Sequence, residues 1–243
     1  TFIPYLRQLV HVLIRLMRYP EDADQLTSDQ IDDLKRHRYD VGDLLNDCAG
    51  VLGAVDCLRL LVPELEREVA SLAALAADPQ QQQQQQQAGG GASGGGGSGG
   101  GGGWQGVEAY LFGVRSLARG VPSDEGQAVP AVMTLLLQLP AQNAHVRYTA
   151  NLVVGRYADW LRDHPEHLRQ MFGFLLAGFG TPECAAAAAT AIKNVCQACG
   201  AQMGEPVLDL YDQLLARREM LPFRDELEIV EGLSHVVSAL PPD

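Results

Sequence analysis

Four amphipathic segments of the chain open near Trp104, Ala144, Pro182 and Pro222, spaced 40, 38 and 40 residues apart. A recurrence of that length fixes the architecture more firmly than any single residue, because one unit is too small to bury its apolar face alone and must stack on its neighbours. Within each unit the apolar residues recur at i, i+3, i+4 and i+7, the spacing of one helix face, with no persuasive period-two alternation. The clearest stretch is "NAHVRYTANLVVGRYADWLRDH", in which Val146, Ala150, Val153, Tyr157, Trp160 and Leu161 form one stripe and Arg147, Asn151, Asp159 and Arg162 the opposite one. It reads as one helix, with Asn143 as its N-cap and Pro165 enforcing the break. Gly155 falls in its middle, where glycine costs about 1 kcal/mol relative to alanine. Close packing against a neighbouring helix is therefore expected there.

Each such segment has a partner. "HPEHLRQMFGFLLAGFG" makes a shorter second helix with Pro165 at its first position and Gly178 and Gly180 near its end. Thr181 is read as the cap of "PECAAAAATAIKNVCQACG", with Gly200 as its stop, and "EPVLDLYDQLLARRE" carries Val207, Leu208, Tyr211, Leu214 and Leu215 on one face. "WQGVEAYLFGVRSLARG", stopped at Gly120, pairs with "GQAVPAVMTLLLQLP". The period matches HEAT-type helical repeats, roughly 40 to 47 residues, so the expected fold is all-α, an α-α superhelix of HEAT/armadillo-like repeats. The alanine run Ala185 to Ala189 suits a helix crowded on several sides.

Ahead of these units "TSDQIDDLKRHRYDVGDLLNDCAGVLG" places Ile31, Leu34, Val41, Leu45, Cys48 and Leu52 in register, and "AVDCLRLLVPELEREVASLAALA" does so with Leu58, Leu61, Leu65, Val69, Leu72 and Leu75. Between this pair and Trp104 stands "QQQQQQQQAGGGASGGGGSGGGGG", which resembles a laboratory linker. Removing residues 78–103 leaves about one repeat between Ser28 and Trp104, so the tract interrupts one solenoid between two repeats. The expected organisation is helical repeats over 1–77, a disordered Gln/Gly/Ser-rich insertion over 78–103, and repeats of the same solenoid over 104–243. Loop closure makes this tolerable, costing about 0.6 kcal/mol per doubling of length. Its GxGxxG matches lack the strand and helix that a dinucleotide site needs.

No apolar run reaches membrane-spanning length and no signal-peptide pattern opens the chain. Because the chain starts at Thr1 with a helical pattern from Phe2, it reads as a fragment of something longer. Cys48, Cys57, Cys184, Cys196 and Cys199 are odd in number and sit in apolar helical patterns, which favours buried, reduced thiols in the cytosol or nucleus. The formal net charge of -12 attracts basic partners and opposes direct nucleic-acid binding.

Chemistry is scarce at the level of motifs. Cys196 and Cys199 form a C-x-x-C, but no second ligand pair stands at zinc-finger spacing and the pair precedes a helix end rather than opening a helix. His164 and His167 flank Pro165 and Glu166 at a helix start, where capping and surface exposure account for them; no histidine has triad neighbours. No enzyme activity, cofactor or metal is expected. The acids say more: Asp29, Asp32 and Asp33 belong to a cluster after the first helix, and Glu205, Asp209 and Asp212 line the polar face of a repeat's second helix. These six are the candidate surface for a basic partner, since second helices of a HEAT stack usually line its concave side.

The succession "LMRYPED", "HRYDVGDLLNDCAGVLG", "WQGVEAYLFGVRSLA", "VRYTANLVVGRYADWLRDHPEHL" and "AAAAATAIKNVCQACGAQM" resembles the middle of the karyopherin-β (importin-β superfamily) nuclear transport receptors, in the transportin-SR and importin 13 branches. It runs in order over the whole chain except the tract. The resemblance implies a HEAT superhelix that shuttles between cytoplasm and nucleus, imports basic cargo such as Arg/Ser-rich SR proteins, contacts Phe-Gly nucleoporins and releases cargo to Ran-GTP. It implies no membrane insertion. The family's Ran-binding repeats and its arginine-bearing cargo helix fall outside the matched stretch, so no cargo residue carries over. The competing readings are a HEAT scaffold for a different protein assembly and an importin-13-like receptor with other cargo. A transport receptor is distinguished by shallow apolar clefts between adjacent first helices, such as those starting near Trp104 and Ala144.

Overall fold

A computed structural model of the chain describes residues 2–77, 103–140, 143–204, 207, 212 and 222–240. Among them are ten α-helices and no strand: α1 (Ile3–Leu16), α2 (Ser28–Leu52), α3 (Ala54–Ala77), α4 (Trp104–Leu117), α5 (Ala128–Leu137), α6 (Ala144–Arg156), α7 (Ala158–Asp163), α8 (Pro165–Ala177), α9 (Pro182–Met203) and α10 (Phe223–Ala239). Short 3-10 turns follow α4 and α8. No helix among the described residues is long and apolar enough to cross a membrane. The Gln/Gly/Ser tract and most of "EPVLDLYDQLLARRE" lie outside the described residues.

The helices stack in two rows. In the first row α2, α4, α6, α9 and α10 lie side by side in chain order; in the second, α3, α5 and α8 follow one another behind them. α1 lies across α2, α3 and α4, and α3 packs directly on α4 although the tract separates them in sequence. One apolar core runs the whole length, from Val10 in α1 through Leu45, Leu61, Leu111, Val153 and Ile192 to Val236 in α10. The fold is thus an all-α repeat solenoid.

Local chemistry accounts for the element ends. Thr27 opens α2 with a reciprocal cap: its hydroxyl accepts from the Gln30 N–H at 3.4 Å while the Gln30 side chain accepts from the Thr27 N–H at 2.9 Å. Asn143 caps α6 as its sequence suggests, accepting from the Val146 N–H at 3.0 Å. Pro165 occupies the first turn of α8, where it has no hydrogen bond to lose. The α2–α3 junction turns at Gly53 with φ 94°, a conformation open to glycine at little cost.

Three readings of the sequence are corrected. The stretch after Asn143 is two helices, because Tyr157 leaves helical geometry (φ -96°, ψ 22°) while its hydroxyl donates to the Val114 carbonyl at 3.1 Å. Gly200 does not stop α9; it lies inside the helix, and α9 ends at Gly204, whose φ of 49° favours glycine. Thr181 holds the N-cap position of α9, yet its side chain makes no capping hydrogen bond.

Candidate partner-binding surface

The first row is held together by a buried polar seam. On α2, Arg38 occupies a place in the apolar stripe between Leu34 and Val41, and its guanidinium donates to the Glu108 carboxylate of α4 at 2.5 Å. The other Glu108 oxygen accepts from the Thr149 hydroxyl of α6 at 2.7 Å. All three are buried, Glu108 to 1% exposure. The guanidinium also lies over the rings of Tyr19, 4.4 Å away, and Phe112, 4.2 Å away. Burial raises the Tyr19 phenol above its ordinary pKa against the pull of Arg38. Beside it Trp104 stacks on His145 with ring centres 4.4 Å apart, so Tyr19, Trp104 and His145 join three segments in one aromatic group.

Two clefts open where this seam meets the surface. One, of about 260 Å³, has Tyr39, Phe112, Tyr148 and Leu152 among its lining residues, with Arg38 and Glu108 at its floor. Tyr39 and Tyr148 are 57% and 41% exposed. The other, of about 160 Å³, is lined by Gly42, Ser116, Arg115, Arg119 and Arg156 among others. Arg115 stacks on Phe112 at 4.7 Å and on Tyr39 at 5.7 Å and donates to the Tyr39 hydroxyl at 3.3 Å. Gly42 lets α2 come close to α4 here, since a Cβ on it would stand 3.2 Å from the Ser116 oxygen.

The sequence-predicted acids are dispersed. Asp29, Asp32 and Asp33 stand together, exposed, in the first two turns of α2, and Asp29, in the first turn, is favoured by the helix dipole. Two of them are already engaged locally, Asp32 with Lys35 at 3.3 Å and Asp33 with Arg36 at 3.0 Å. Asp212 is exposed; Glu205 and Asp209 lie outside the described residues.

The candidate reactive groups are accounted for by packing. All five cysteines are free and buried. Burial pushes the Cys196 thiol up to about 12 and that of Cys199 to about 11. No cluster of metal-ligating side chains is present among the described residues. His164 does hold a cap position, between α7 and α8, with its Nδ1 3.0 Å from the Trp160 carbonyl, but neither histidine is a simple surface group. Both rings pack on Trp160, with centres 4.1 and 5.2 Å away, and Trp160 in turn donates to the Glu125 carbonyl at 2.7 Å. The buried Arg38–Glu108–Thr149 seam escaped sequence reasoning. Its signal was a charge standing in an apolar stripe.

Comparison with known proteins agrees with this architecture. Residues 126–212 match a family profile described as the Transportin-3/Importin-13 third TPR domain. TPR, like HEAT, denotes a stacked pair of antiparallel helices. Over the full length, the chain is 31% identical across 251 residues to Transportin MOS14 of Arabidopsis thaliana, covering 100% of this chain and 24% of that protein. It is 29% identical across 255 residues to an uncharacterized protein of Schizosaccharomyces pombe, covering 99% and 24% respectively. Human Importin-13 is 24% identical over 201 residues, 82% of this chain and 18% of its own length. The chain thus spans 24% of the length of both the Arabidopsis thaliana and the Schizosaccharomyces pombe relative.

Proposed function

Since the chain belongs to the karyopherin-β family, we propose that it is part of a nuclear transport receptor, a non-enzymatic carrier that moves between cytoplasm and nucleus. The observation that carries this reading is the similarity to transportin and importin relatives along the chain, including both helix rows. The finer proposal is import of basic, Arg/Ser-rich cargo under Ran-GTP control, supported by the net charge of -12 and by the acids Asp29, Asp32, Asp33 and Asp212 on the surface. Glu205 and Asp209 belong to the same proposed surface by sequence alone.

The cleft between α2, α4 and α6 is proposed to receive the phenylalanine of a Phe-Gly nucleoporin, for which Tyr39, Phe112, Tyr148 and Leu152 supply an apolar lining and a partly exposed rim. Residues 1–77 and 104–243 are proposed to act as one solenoid, the tract being an insertion between repeats; the packing of α3 on α4 supports this. Cargo and Ran-GTP would then bias one superhelix in opposite directions, and their coupling must be reciprocal.

The test is fluorescence anisotropy of an Arg/Ser-repeat peptide, phosphorylated and unphosphorylated, titrated with the protein in the presence and absence of Ran-GTP. Binding that Ran-GTP abolishes is expected. Equal affinity with and without Ran-GTP would overturn the coupling, and Ran-GTP binding without peptide binding would redirect the reading to a receptor for other cargo. No response to either ligand would favour a helical-repeat scaffold.

A further inference from the structure

Arg115, Arg119 and Arg156 converge on the cleft of about 160 Å³ at the ends of α4 and α6. Of the eight other exposed arginines among the described residues, four have a carboxylate in reach: Arg36 has Asp33, Arg59 has Asp56, Arg67 has Glu64 and Arg162 has Asp159 and Asp163. The three of the cleft have none within ion-pair distance among the described residues, although acids outnumber basic residues 30 to 18 over the whole chain. Asp43 shares the cleft without coming within ion-pair distance of them.

Convergence on one cleft, and the way Arg115 is held there, set these arginines apart. Arg115 is half-buried and held in place by the faces of Phe112 and Tyr39 and by the Tyr39 hydroxyl. A guanidinium fixed in this way has lost its rotamer freedom before any ligand arrives and still carries unused donors in a fork that matches a carboxylate. Arg119 follows it by one helical turn and Arg156 faces it from α6, both exposed.

We propose that this cleft is a docking site for an acidic peptide segment of a partner protein, whose Asp or Glu side chains are bound by Arg115, Arg119 and Arg156. The occupant is argued from charge: three unpaired cations on an acidic molecule create a local field opposite to that of the whole. A nucleic-acid backbone, long and densely charged, meets the repulsion of the net charge of -12, whereas a short acidic segment needs only the local site. The site is opposite in preference to the basic cargo surface and does not rest on the transport reading.

The test is fluorescence anisotropy of a labelled peptide alternating glutamate and glycine, titrated with the full chain. Arg119→Glu/Arg156→Glu changes two exposed side chains, so the melting temperature is expected to hold while affinity falls about tenfold or more. Arg7→Glu/Arg169→Glu alters the net charge equally at exposed positions away from the cleft and is expected to leave affinity within about twofold. Arg115→Lys keeps the charge but loses the fork, and is expected to weaken binding several-fold. Equal losses in the two charge-reversed variants, absence of binding to the unaltered chain, or tighter binding of a single-stranded RNA of matched charge would each overturn the proposal.

Discussion

Gly155 illustrates how one missing side chain sets the distance between two helices. A Cβ there would stand 2.8 Å from the Ala191 Cα and 3.0 Å from its Cβ, and a backbone atom cannot step aside as a flexible side chain can. Alanine would gain about 1 kcal/mol of helix propensity, but overpacking costs about 1 to 3 kcal/mol, so Gly155→Ala is expected to lower the melting temperature. A rise would show that α6 and α9 separate freely. The need for a close neighbour at Gly155 was legible in the sequence, but its expected place in the middle of a helix was not met: α6 ends at Arg156 and Gly155 stands in its last turn. Asn151, four residues earlier, was not legible: it falls on the polar stripe, yet it is fully buried, with neither side-chain polar atom hydrogen-bonded. The stripe was phased along a helix that actually breaks at Tyr157, and α6 is flanked by α4 and α9, which leaves it little face for polar groups. The thiols provide a second check at this scale. With Cys196 pushed to about 12 and Cys57 and Cys199 to about 11, iodoacetamide at pH 8 is expected to leave these three unlabelled in the native chain and to label them once urea unfolds it.

At the scale of elements, the start of α5 depends on Glu125. Its carboxylate, 7% exposed, accepts from the Val129 N–H at 2.8 Å and the Gln127 N–H at 3.1 Å. Burial alone would raise its pKa, but these backbone donors outweigh burial and hold it below the ordinary carboxylate value. The sign follows from linkage. A carboxylate held low in the folded state contributes its stability fully above its unfolded pKa of about 4.3, and loses it as pH falls through the folded value. Glu125→Gln is therefore expected to be less stable than the parent at pH 7 and to show a shallower loss on acidification, read from urea midpoints between neutral and about pH 3. Parallel curves would remove Glu125 from the acid limb. This contact was invisible in sequence because the carboxylate reaches a helix that begins three residues later without any of the usual capping residues. Helix ends were likewise only half legible: Gly200 read as the stop of α9, but it lies inside the helix, where it faces the His235 carbonyl and Val236 of α10, a contact from outside its own repeat, and the helix runs on to Gly204.

Over the whole molecule, the repeat length and the all-α fold were written in the chain, since amphipathic spacing is a local property. The coupling between repeats was not, because Glu108 lies 70 residues from Arg38 and Thr149 41 residues from Glu108, so that even with Arg38 visible as a charge in an apolar stripe its partners could not be read from it. Removing Glu108 strands a buried guanidinium, so Glu108→Ala is expected to cost about 3 to 5 kcal/mol. Replacing both partners, Arg38→Met/Glu108→Leu, is expected to cost much less, as measured by urea unfolding. If the single and double variants lost equal stability, Arg38 would not depend on its partner.

The two seams of the first row differ in kind. Between α2, α4 and α6 the contact is made of long, interlocked groups with directional bonds. Around α9 the backbones come close at Gly155, Gly200 and Gly232, which meet mainly alanine and main chain, while at the surface Lys193 crosses to α10 and pairs with Glu228 at 3.3 Å and Glu231 at 2.7 Å. Surfaces of small residues resist separation, because close approach maximises dispersion, and they leave resistance to sliding mainly to groups at the rim such as Lys193. The row is thus graded: buried directional bonds clamp its amino-terminal side, whereas at α9 a close fit of small residues is latched to α10 from outside by Lys193, so that a small shift of α10 along α9 would alter the pitch of the coil without opening its core.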